Sequence, residues 1–484
     1  MPSGQQVPVI FGKIIMKPKY YLILLFAWIS SSLHSQVAFT VEEAKFSSQA
    51  YDEYAPVFFG DGLIFTANKR MDMLKKIDGD QGKPPFDIFY VRKTGEDQWS
   101  RVELLSEDLR SITYDGPVTV NATGDKIFFN RNYIPGDRKA RTNKVGIFSA
   151  DLIGGQWTNI EPFVHNNTAY NLFHPALSHD GKMLVFSSDM PGGSGGFDLY
   201  VCKFENGWWN NPVNLGSNIN TSGHEIYPVF HPNGRLYFST NRLPGIGGYD
   251  IYYTELVDGA WAKPVNLAEP LNSRRNDAGF ISNEDFTHGF LTSNRNRRTN
   301  SIYEFKLDVP TFDSCKEQVF NDYCFTFFEV GTVDIDTTSY MYEWSIGETA
   351  RIRAKEANYC FSGPGNYIIN LNVIDLLTGE IMFNQASYDL TIEDIQQAYI
   401  TCPDTILINQ VIDLDGSSTN IKDFEAGRFY WDLGDYTYIT GSNLSHSYYK
   451  PGIYTIRLGV TNIAEKPEDL KKSCSYRNIV VLPD

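Results

Sequence analysis

The chain has 484 residues, more than one ordinary domain needs, and its 42% hydrophobic and 14% aromatic content is that of a folded protein. Its formal net charge is −16, and a field of that sign repels phosphate backbones, which argues against nucleic acid as a partner. The aromatic residues, together with 39 Gly and 23 Pro, favour many short strands joined by tight turns.

The N-terminus has the pattern of an export signal. Lys17 and Lys19 precede an apolar run over residues 20–29, and small residues follow it. We therefore predict a signal peptide over residues 1–35, with Met16 as an alternative start. The apolar run is short for a membrane span, and no Cys follows it to carry a lipid anchor. The expected mature protein is exported.

Internal repeats organise the next part of the chain. The segments FHPALSHDGKMLVFSS, from Phe173, and IYPVFHPNGRLYFST, from Ile226, match almost element for element. Further copies of the repeat begin at Tyr54, Asp115 and Asp277. Asp-Gly and Asn-Gly pairs between alternating apolar runs are hairpin signals, so each unit reads as four short strands. Four-stranded units repeated at about fifty residues are the signature of a β-propeller.

The fifth repeat lacks its last strand, whereas residues 37–46 have strand character and no repeat of their own. We predict that this N-terminal segment supplies the missing outer strand and closes a ring of five blades over residues 36–308. Units ending in S-N-R or T-N-R, followed by G-G-x-D-I-Y and W-x-x-P-x-N-L, resemble the WD-like repeats of TolB-type periplasmic proteins. They look especially like those of Bacteroidetes envelope propellers. The resemblance implies the fold and is much less specific for function.

A different repeat follows the propeller. Trp344 and Trp431 each lie 20 residues before a Pro-Gly pair, and the offset between the two copies is 87 residues. The later copy, with W-D-x-G-D, S-H-x-Y and P-G-x-Y-T, resembles the PKD domain, an immunoglobulin-like β-sandwich. We predict a diverged sandwich over residues 309–396 and a second over 397–484. The predicted fold class is all-β: a five-bladed β-propeller followed by two immunoglobulin-like (PKD) sandwiches.

Five of the six cysteines lie after residue 310, and an exported protein can form disulfides. Cys402 and Cys474 bracket the last sandwich, and we predict that they pair. Cys324 with Cys360 is the second choice, which leaves Cys202 and Cys315 free. Connectivity is not readable from sequence alone, so other pairings stay open.

The recurrent polar residues have two readings. Asp198 and Asp250, with Asp87 as a looser counterpart, form either a ring of carboxylates for cations or hydrolysis, or caps on glycine-rich turns. Their recurrence favours the caps, because catalytic sites break symmetry. A second recurrent set, expected to stabilise turns rather than face a partner, consists of the Asn-Arg pairs Asn130-Arg131, Asn241-Arg242 and Asn294-Arg295. Trp209 keeps the repeat register and is expected in the core, which leaves Trp208 as the odd aromatic residue.

We predict no catalytic, cofactor-binding or metal-binding residues, and hence no enzyme, because the histidines are unclustered and no hydrolase motif occurs. Calcium at surface turns stays open. The resemblance implies an exported binding or scaffold protein, in the periplasm or associated with the outer membrane. Its expected partner is a protein of the cell envelope, such as an outer-membrane component of type IX secretion or gliding. The alternatives are a glycan-binding or polysaccharide-processing protein and a cell-surface adhesion module.

Overall fold

A computed structural model of the chain describes residues 36–37, 39–69, 85–111, 113–133, 144–257, 259–296, 298–312, 314–330, 338–348 and 350–483. The predicted signal peptide lies outside the described residues. The described part is all-β, and its one helical element is a 3₁₀ turn at Pro467–Asp469. Within these ranges no helix is long and apolar enough to cross a membrane.

Five antiparallel sheets form the propeller, preceded by two strands, β1 (Gln36–Val37) and β2 (Phe39–Glu43). Blade one comprises β3 (Glu53–Phe59), β4 (Gly62–Ala67), β5 (Asp87–Gly95), β6 (Gln98–Trp99) and β7 (Glu103–Leu104). Blade two comprises β8 (Asp115–Val120), β9 (Lys126–Asn132), β10 (Val145–Ile153) and β11 (Gln156–Pro162). Blade three comprises β12 (Leu172–Leu177), β13 (Met183–Ser188), β14 (Asp198–Glu205), β15 (Trp208–Trp209) and β16 (Val213–Asn214).

Blades four and five complete the ring. Blade four comprises β17 (Glu225–Phe230), β18 (Leu236–Thr240), β19 (Asp250–Thr254), β20 (Leu256–Val257), β21 (Ala260–Trp261) and β22 (Val265–Asn266). Blade five comprises β23 (Asp277–Ser282), β24 (His288–Ser293) and β25 (Ser301–Leu307), and β2 pairs with β25 as its outer strand. Phe65 and Phe89 of blade one share a buried cluster with Phe290 of blade five, so the first blade packs against the last.

The first sandwich has a large sheet and a small one. Its strands are β27 (Cys324–Phe328), β28 (Tyr340–Ile346), β29 (Ala350–Arg353), β30 (Glu356–Cys360), β31 (Gly365–Asp375) and β32 (Ile381–Ile392), and β26 (Lys316–Glu317) precedes them. The order in the large sheet is β29-β28-β31-β32, and β27 pairs with β30. Trp344 fills the core, and its Nε1 donates a hydrogen bond to the Ala354 carbonyl.

The last sandwich repeats this plan and takes in strands from elsewhere. Its own strands are β33 (Thr405–Leu407), β34 (Ile412–Asp415), β35 (Arg428–Asp432), β36 (Tyr438–Thr440), β37 (Asn443–His446), β38 (Gly452–Thr461) and β39 (Lys472–Leu482). β1 adds to one edge of the large sheet beside β36, and β26 pairs in parallel with β39 at the other. The buried Trp431 donates from Nε1 to the Gly441 carbonyl, ten residues on, as Trp344 does in its own sandwich. The all-β fold class predicted from the sequence is therefore confirmed.

The path of β26 corrects the predicted cysteine pairing. Because β26 lies beside β39, Cys315 meets Cys474, and these two form a disulfide. The prediction that Cys402 pairs with Cys474 was wrong, since Cys402 packs against the apolar core of the last sandwich and is unpaired. Cys324 and Cys360 face each other on β27 and β30 and form the other disulfide.

The last sandwich packs directly against the propeller. Arg235 of blade four is 7% exposed, and its guanidinium lies 2.6 Å from the Glu255 carboxylate and 5.7 Å from the ring centre of Tyr436. Lys450 of the sandwich also pairs with Glu255. Tyr438 donates a hydrogen bond from its hydroxyl to the Asp285 carbonyl. Tyr436 and Tyr438, which follow the W-D-x-G-D segment, are thus part of an interface within the chain.

Candidate interaction site on the propeller

The central channel is shaped by one backbone feature repeated in all five inner strands. A residue with positive φ stands just before the proline, or before Phe280 in blade five, and the strand register shifts there; these residues are Ala55, Gly116, His174, Tyr227 and Gly279. Such bulges bend a strand and re-aim its side chains. Three blades use Gly or Ala at this position, whereas blades three and four carry His and Tyr, which breaks the symmetry of the ring.

These two side chains pack against each other at one end of the channel. The ring centres of His174 and Tyr227 lie 3.9 Å apart, and Tyr54 lies parallel to Tyr227 at 6.2 Å. The Nδ1 atom of His174 is buried with no hydrogen-bond partner, and burial lowers the pKa of His174 to about 3. A neutral, enclosed imidazole of this kind is a packing element of the channel.

The inner strands of four blades begin with a fully buried acid. Asp115 and Asp277 pair with the arginines Arg131 and Arg295, each at 2.7 Å. Glu225 accepts hydrogen bonds from the hydroxyls of Thr221 and Thr240, and Glu53 accepts one from the hydroxyl of Ser47. Burial raises the pKa of Glu53 to about 7. The N–H groups of Ser111 and Ser273 also donate to Asp115 and Asp277, so the acids tie these four inner strands to the loops before them.

A second recurrent set consists of one Asn or Asp residue near the end of the second strand in each blade. In each blade an Asn or Asp side chain accepts a hydrogen bond from the backbone N–H just ahead of the inner strand; the acceptors are Asn68, Asn132, Asp189, Asn241 and Asn294. The predicted equivalence of Asn130 with Asn241 and Asn294 was wrong, because Asn132 occupies that place. The Asn130 side chain instead donates to the carbonyls of Gly146 and Leu172.

The Asp residues of the F/Y-D-I/L-Y motif bind their own loops. Asp198 accepts hydrogen bonds from the N–H of Gly195 and the side chain of Asn214, and Asp250 accepts from the N–H of Gly247. Asp87 lies 3.5 Å from the guanidinium of Arg110. Within the described ranges no three His, Cys, Asp or Glu side chains lie close enough together to hold a metal.

A groove of about 600 Å³ lies between blades three and four. Met183, Val201, Leu215 and Trp261 contribute apolar side chains to its lining, as do the exposed Val213 and Leu256. The charged groups of the described lining are Lys203 and Glu205, one of each sign. An open groove of this composition suits the apolar side chains of a bound protein segment better than acid–base chemistry.

The equivalent surface of blade four is in contact with the last sandwich. Val213 and Leu215 of blade three correspond in the repeat to Val265 and Leu267 of blade four. Val265 and Leu267 line a cavity of about 370 Å³ shared with Tyr436 and neighbouring residues of the last sandwich. The sandwich thus covers in blade four the surface that stays open in blade three.

The two adjacent tryptophans of β15 point to different environments. Trp209 packs against Phe128 and Phe163 of blade two, in the core between blades. Trp208 is 76% exposed and lies on β15, which pairs with β14 as β16 does. Sequence reasoning singled out Trp208, but it missed the groove, because the sequence does not show which copy of a repeated surface is covered.

Comparison with known proteins identifies a PKD domain in the C-terminal part of the chain. Residues 396–474 match the PKD domain family. A TolB candidate from Agrobacterium tumefaciens is 11% identical, with 74% of this chain and 90% of that chain covered and a TM-score of 0.33. A protein of unknown function from Dyadobacter fermentans is 13% identical, with 52% and 75% covered and a TM-score of 0.33.

An α-L-arabinofuranosidase from Lactobacillus brevis is a further similar structure. It is 14% identical, with 54% of this chain and 92% of that chain covered, and its TM-score is 0.34. These similarities are too low to carry an argument about activity. The strand pairings and the PKD match therefore define the architecture.

Proposed function

We propose that this protein is a non-catalytic binding or scaffold protein of the bacterial cell envelope, and that the groove between blades three and four binds a partner protein. One observation carries the proposal. In blade four the equivalent surface is covered by a sandwich domain of the same chain, whereas in blade three its apolar side chains are exposed. A repeat surface that docks one protein domain is suited to dock another.

The finer proposal concerns place and partner. The repeats resemble those of Bacteroidetes envelope propellers, so we propose a location in the periplasm or at the outer membrane, and a partner among the type IX secretion or gliding components. No cofactor is needed for this role. The buried acids of the propeller support this binding role, because they accept hydrogen bonds from the protein's own loops.

A crosslinking pull-down with the tagged full-length protein from native envelopes tests the proposal. The double variant Val213→Glu, Leu256→Glu places two charges in the groove and should lose an outer-membrane partner that the wild type recovers. Ile153→Glu is the matched control, because Ile153 is an exposed residue of blade two that does not line the groove. Equal recovery by the groove variant and the control would contradict the assignment of the groove.

A glycan-binding role is the second candidate, and the exposed Trp208 is the observation that favours it. An exposed indole can stack on a sugar ring, and the Trp208 side chain is 76% exposed. If this role is the true one, envelope polysaccharide retains the wild type, and Trp208→Ala abolishes retention. The protein partner would then be absent from the pull-down.

A further inference from the structure

The large sheet of the first sandwich ends in an open edge. β32 spans twelve residues, Ile381–Ile392, and in the described part of the chain it pairs with β31 alone. Most of its side chains are exposed, including Phe383 at 58% and Tyr388 at 42%. A strand of this length leaves a row of backbone N–H and carbonyl groups without strand partners.

The last sandwich shows what belongs at such an edge. β39 is the last strand of the last sandwich, as β32 is of the first. On its outer edge β39 pairs with β33 and β26, both in parallel. β26 comes from outside the last sandwich and pairs with Ser475 and Tyr476 of β39. At the offset of 87 residues these two correspond to Tyr388 and Asp389 of β32, and no described strand covers Tyr388 or Asp389 on the side away from β31.

The edge has one of the usual protections against strand pairing, a bulge, and it belongs to a domain of strong negative charge. The bulge lies at Asn384, which has positive φ, and it leaves residues 386–392 in regular pairing with β31. β32 contains no Pro, Lys or Arg, and its one charged residue is Asp389. Residues 309–396 hold 14 acidic and 4 basic residues, a net charge of −10, whereas residues 397–484 hold 11 and 8, a net charge of −3. Residues 361–396 hold five acids and no Lys, Arg or His.

We propose that β32 is a docking edge for an extended, basic segment of a partner protein, which adds to the sheet as a further strand. Backbone hydrogen bonds supply the pairing, and lysine or arginine side chains of the partner meet Asp389 and Glu393. A second copy of this chain is disfavoured as the occupant, because it would bring another domain of charge −10. This site is separate from the groove between blades three and four and goes beyond the function proposed for it.

The test uses the full-length protein and an eight-residue fluorescent peptide of alternating Lys and Val. Two control peptides separate the contributions. The same sequence with alternating D and L residues keeps the charge but cannot form a strand, and a Glu-Val peptide keeps the strand and reverses the charge. We expect the Lys-Val peptide to bind at least tenfold more tightly than either control, and more weakly as salt is raised.

Variants of the protein locate the peptide. Consecutive N–H groups in a strand point to opposite edges, so one of Tyr388 and Asp389 donates to β31 and the other to the open edge. Of Tyr388→Pro and Asp389→Pro, we expect one to keep the wild-type melting temperature and lose binding at least tenfold. The double reversal Asp389→Lys, Glu393→Lys should lose binding without a proline, and Glu465→Lys, Glu468→Lys in the last sandwich is its control.

Three results would overturn the proposal. Equal binding of the Lys-Val peptide and its D/L control would mean attraction by charge alone. Unchanged binding by the Asp389→Lys, Glu393→Lys variant would place the peptide elsewhere. Dimerisation in analytical ultracentrifugation that the reversal variant alters would make a second copy the occupant. The groove variant Val213→Glu, Leu256→Glu should bind the peptide like the wild type, which keeps the two proposals distinguishable.

Discussion

The two sandwich domains share a plan and differ in their surroundings. Each buries a tryptophan whose indole N–H donates to a carbonyl ten residues on, and the copies are offset by 87 residues. The last sandwich packs on blade four and takes β1 and β26 onto its two edges. In the first sandwich the equivalents of Ser475 and Tyr476, on β32, have no added strand in the described part of the chain, and this domain carries most of the excess negative charge.

Two copies of one domain repeat therefore have different roles in this chain. The last sandwich is built into the propeller body through ion pairs, aromatic contacts and shared strands. The first keeps the same core and presents its edge to solvent. Substitutions at equivalent positions of the two copies test whether their surroundings differ in this way.

The largest expected effects come from the two core tryptophans. Trp431→Ala and Trp344→Ala should each lower the free energy of unfolding of the sandwich concerned by about 3–5 kcal/mol, because each removes a fully buried indole. Chemical denaturation of the full chain measures the loss. Limited proteolysis should show faster cleavage at the junction of propeller and last sandwich for Trp431→Ala alone. Equally fast cleavage there in Trp344→Ala would contradict the different roles of the two sandwiches.

The next effect concerns the buried arginine at the junction. Arg235→Ala leaves the Glu255 carboxylate with Lys450 alone, and we expect a loss of about 3 kcal/mol. Arg457→Ala is the matched control, since Arg457 is an exposed residue that pairs with Asp432 in the same sandwich. That control should cost less than about 1 kcal/mol. Similar losses in urea denaturation for both variants would argue against a buried junction.

The disulfides should give a somewhat smaller effect. Cys315→Ser removes the disulfide that ties β26 to β39 across a sequence separation of 159 residues. We expect the free energy of unfolding to fall by about 2–4 kcal/mol under oxidising conditions. Cys402→Ser is the control, because Cys402 is unpaired. Melting curves with and without reductant distinguish the two. A larger loss for Cys402→Ser would restore the pairing expected from the sequence.

The smallest effect is a pH dependence centred on Asp435 of the last sandwich. Burial acts to raise the pKa of Asp435. The hydrogen bond and charge of His446, with the charge of Arg235 and the hydrogen bond of Thr437, outweigh burial, so the pKa of Asp435 is lowered. A lowered folded-state pKa stabilises the fold above the unfolded value and loses that contribution as pH falls through the folded one. Asp435→Asn should flatten the acid limb of the stability curve below about pH 4. An unchanged acid limb would contradict this account.

Much of the architecture was predictable because it repeats. Hairpin turns recur at fixed spacing, and the strands between them alternate, so the propeller and the sandwiches follow from local patterns. The pairing of Cys315 was not predictable, because it depends on a linker strand that crosses into the neighbouring domain. The stacking of His174 on Tyr227 was hidden because it depends on the positive φ at the strand bulges. The place of Asn132 was readable from the spacing, since Asn132 follows Asp115 by 17 residues, as Asn294 follows Asp277.

The measurement that tests the central comparison most directly is hydrogen–deuterium exchange of the full-length protein, followed by mass spectrometry. We predict slow exchange of β39 at residues 475–476 and 480–482, where β26 and β33 cover its outer edge. We predict fast exchange of about half the amides of β32, because its outward N–H groups have no strand partner in the described part of the chain. Protection of β32 as complete as that of β39 would contradict it.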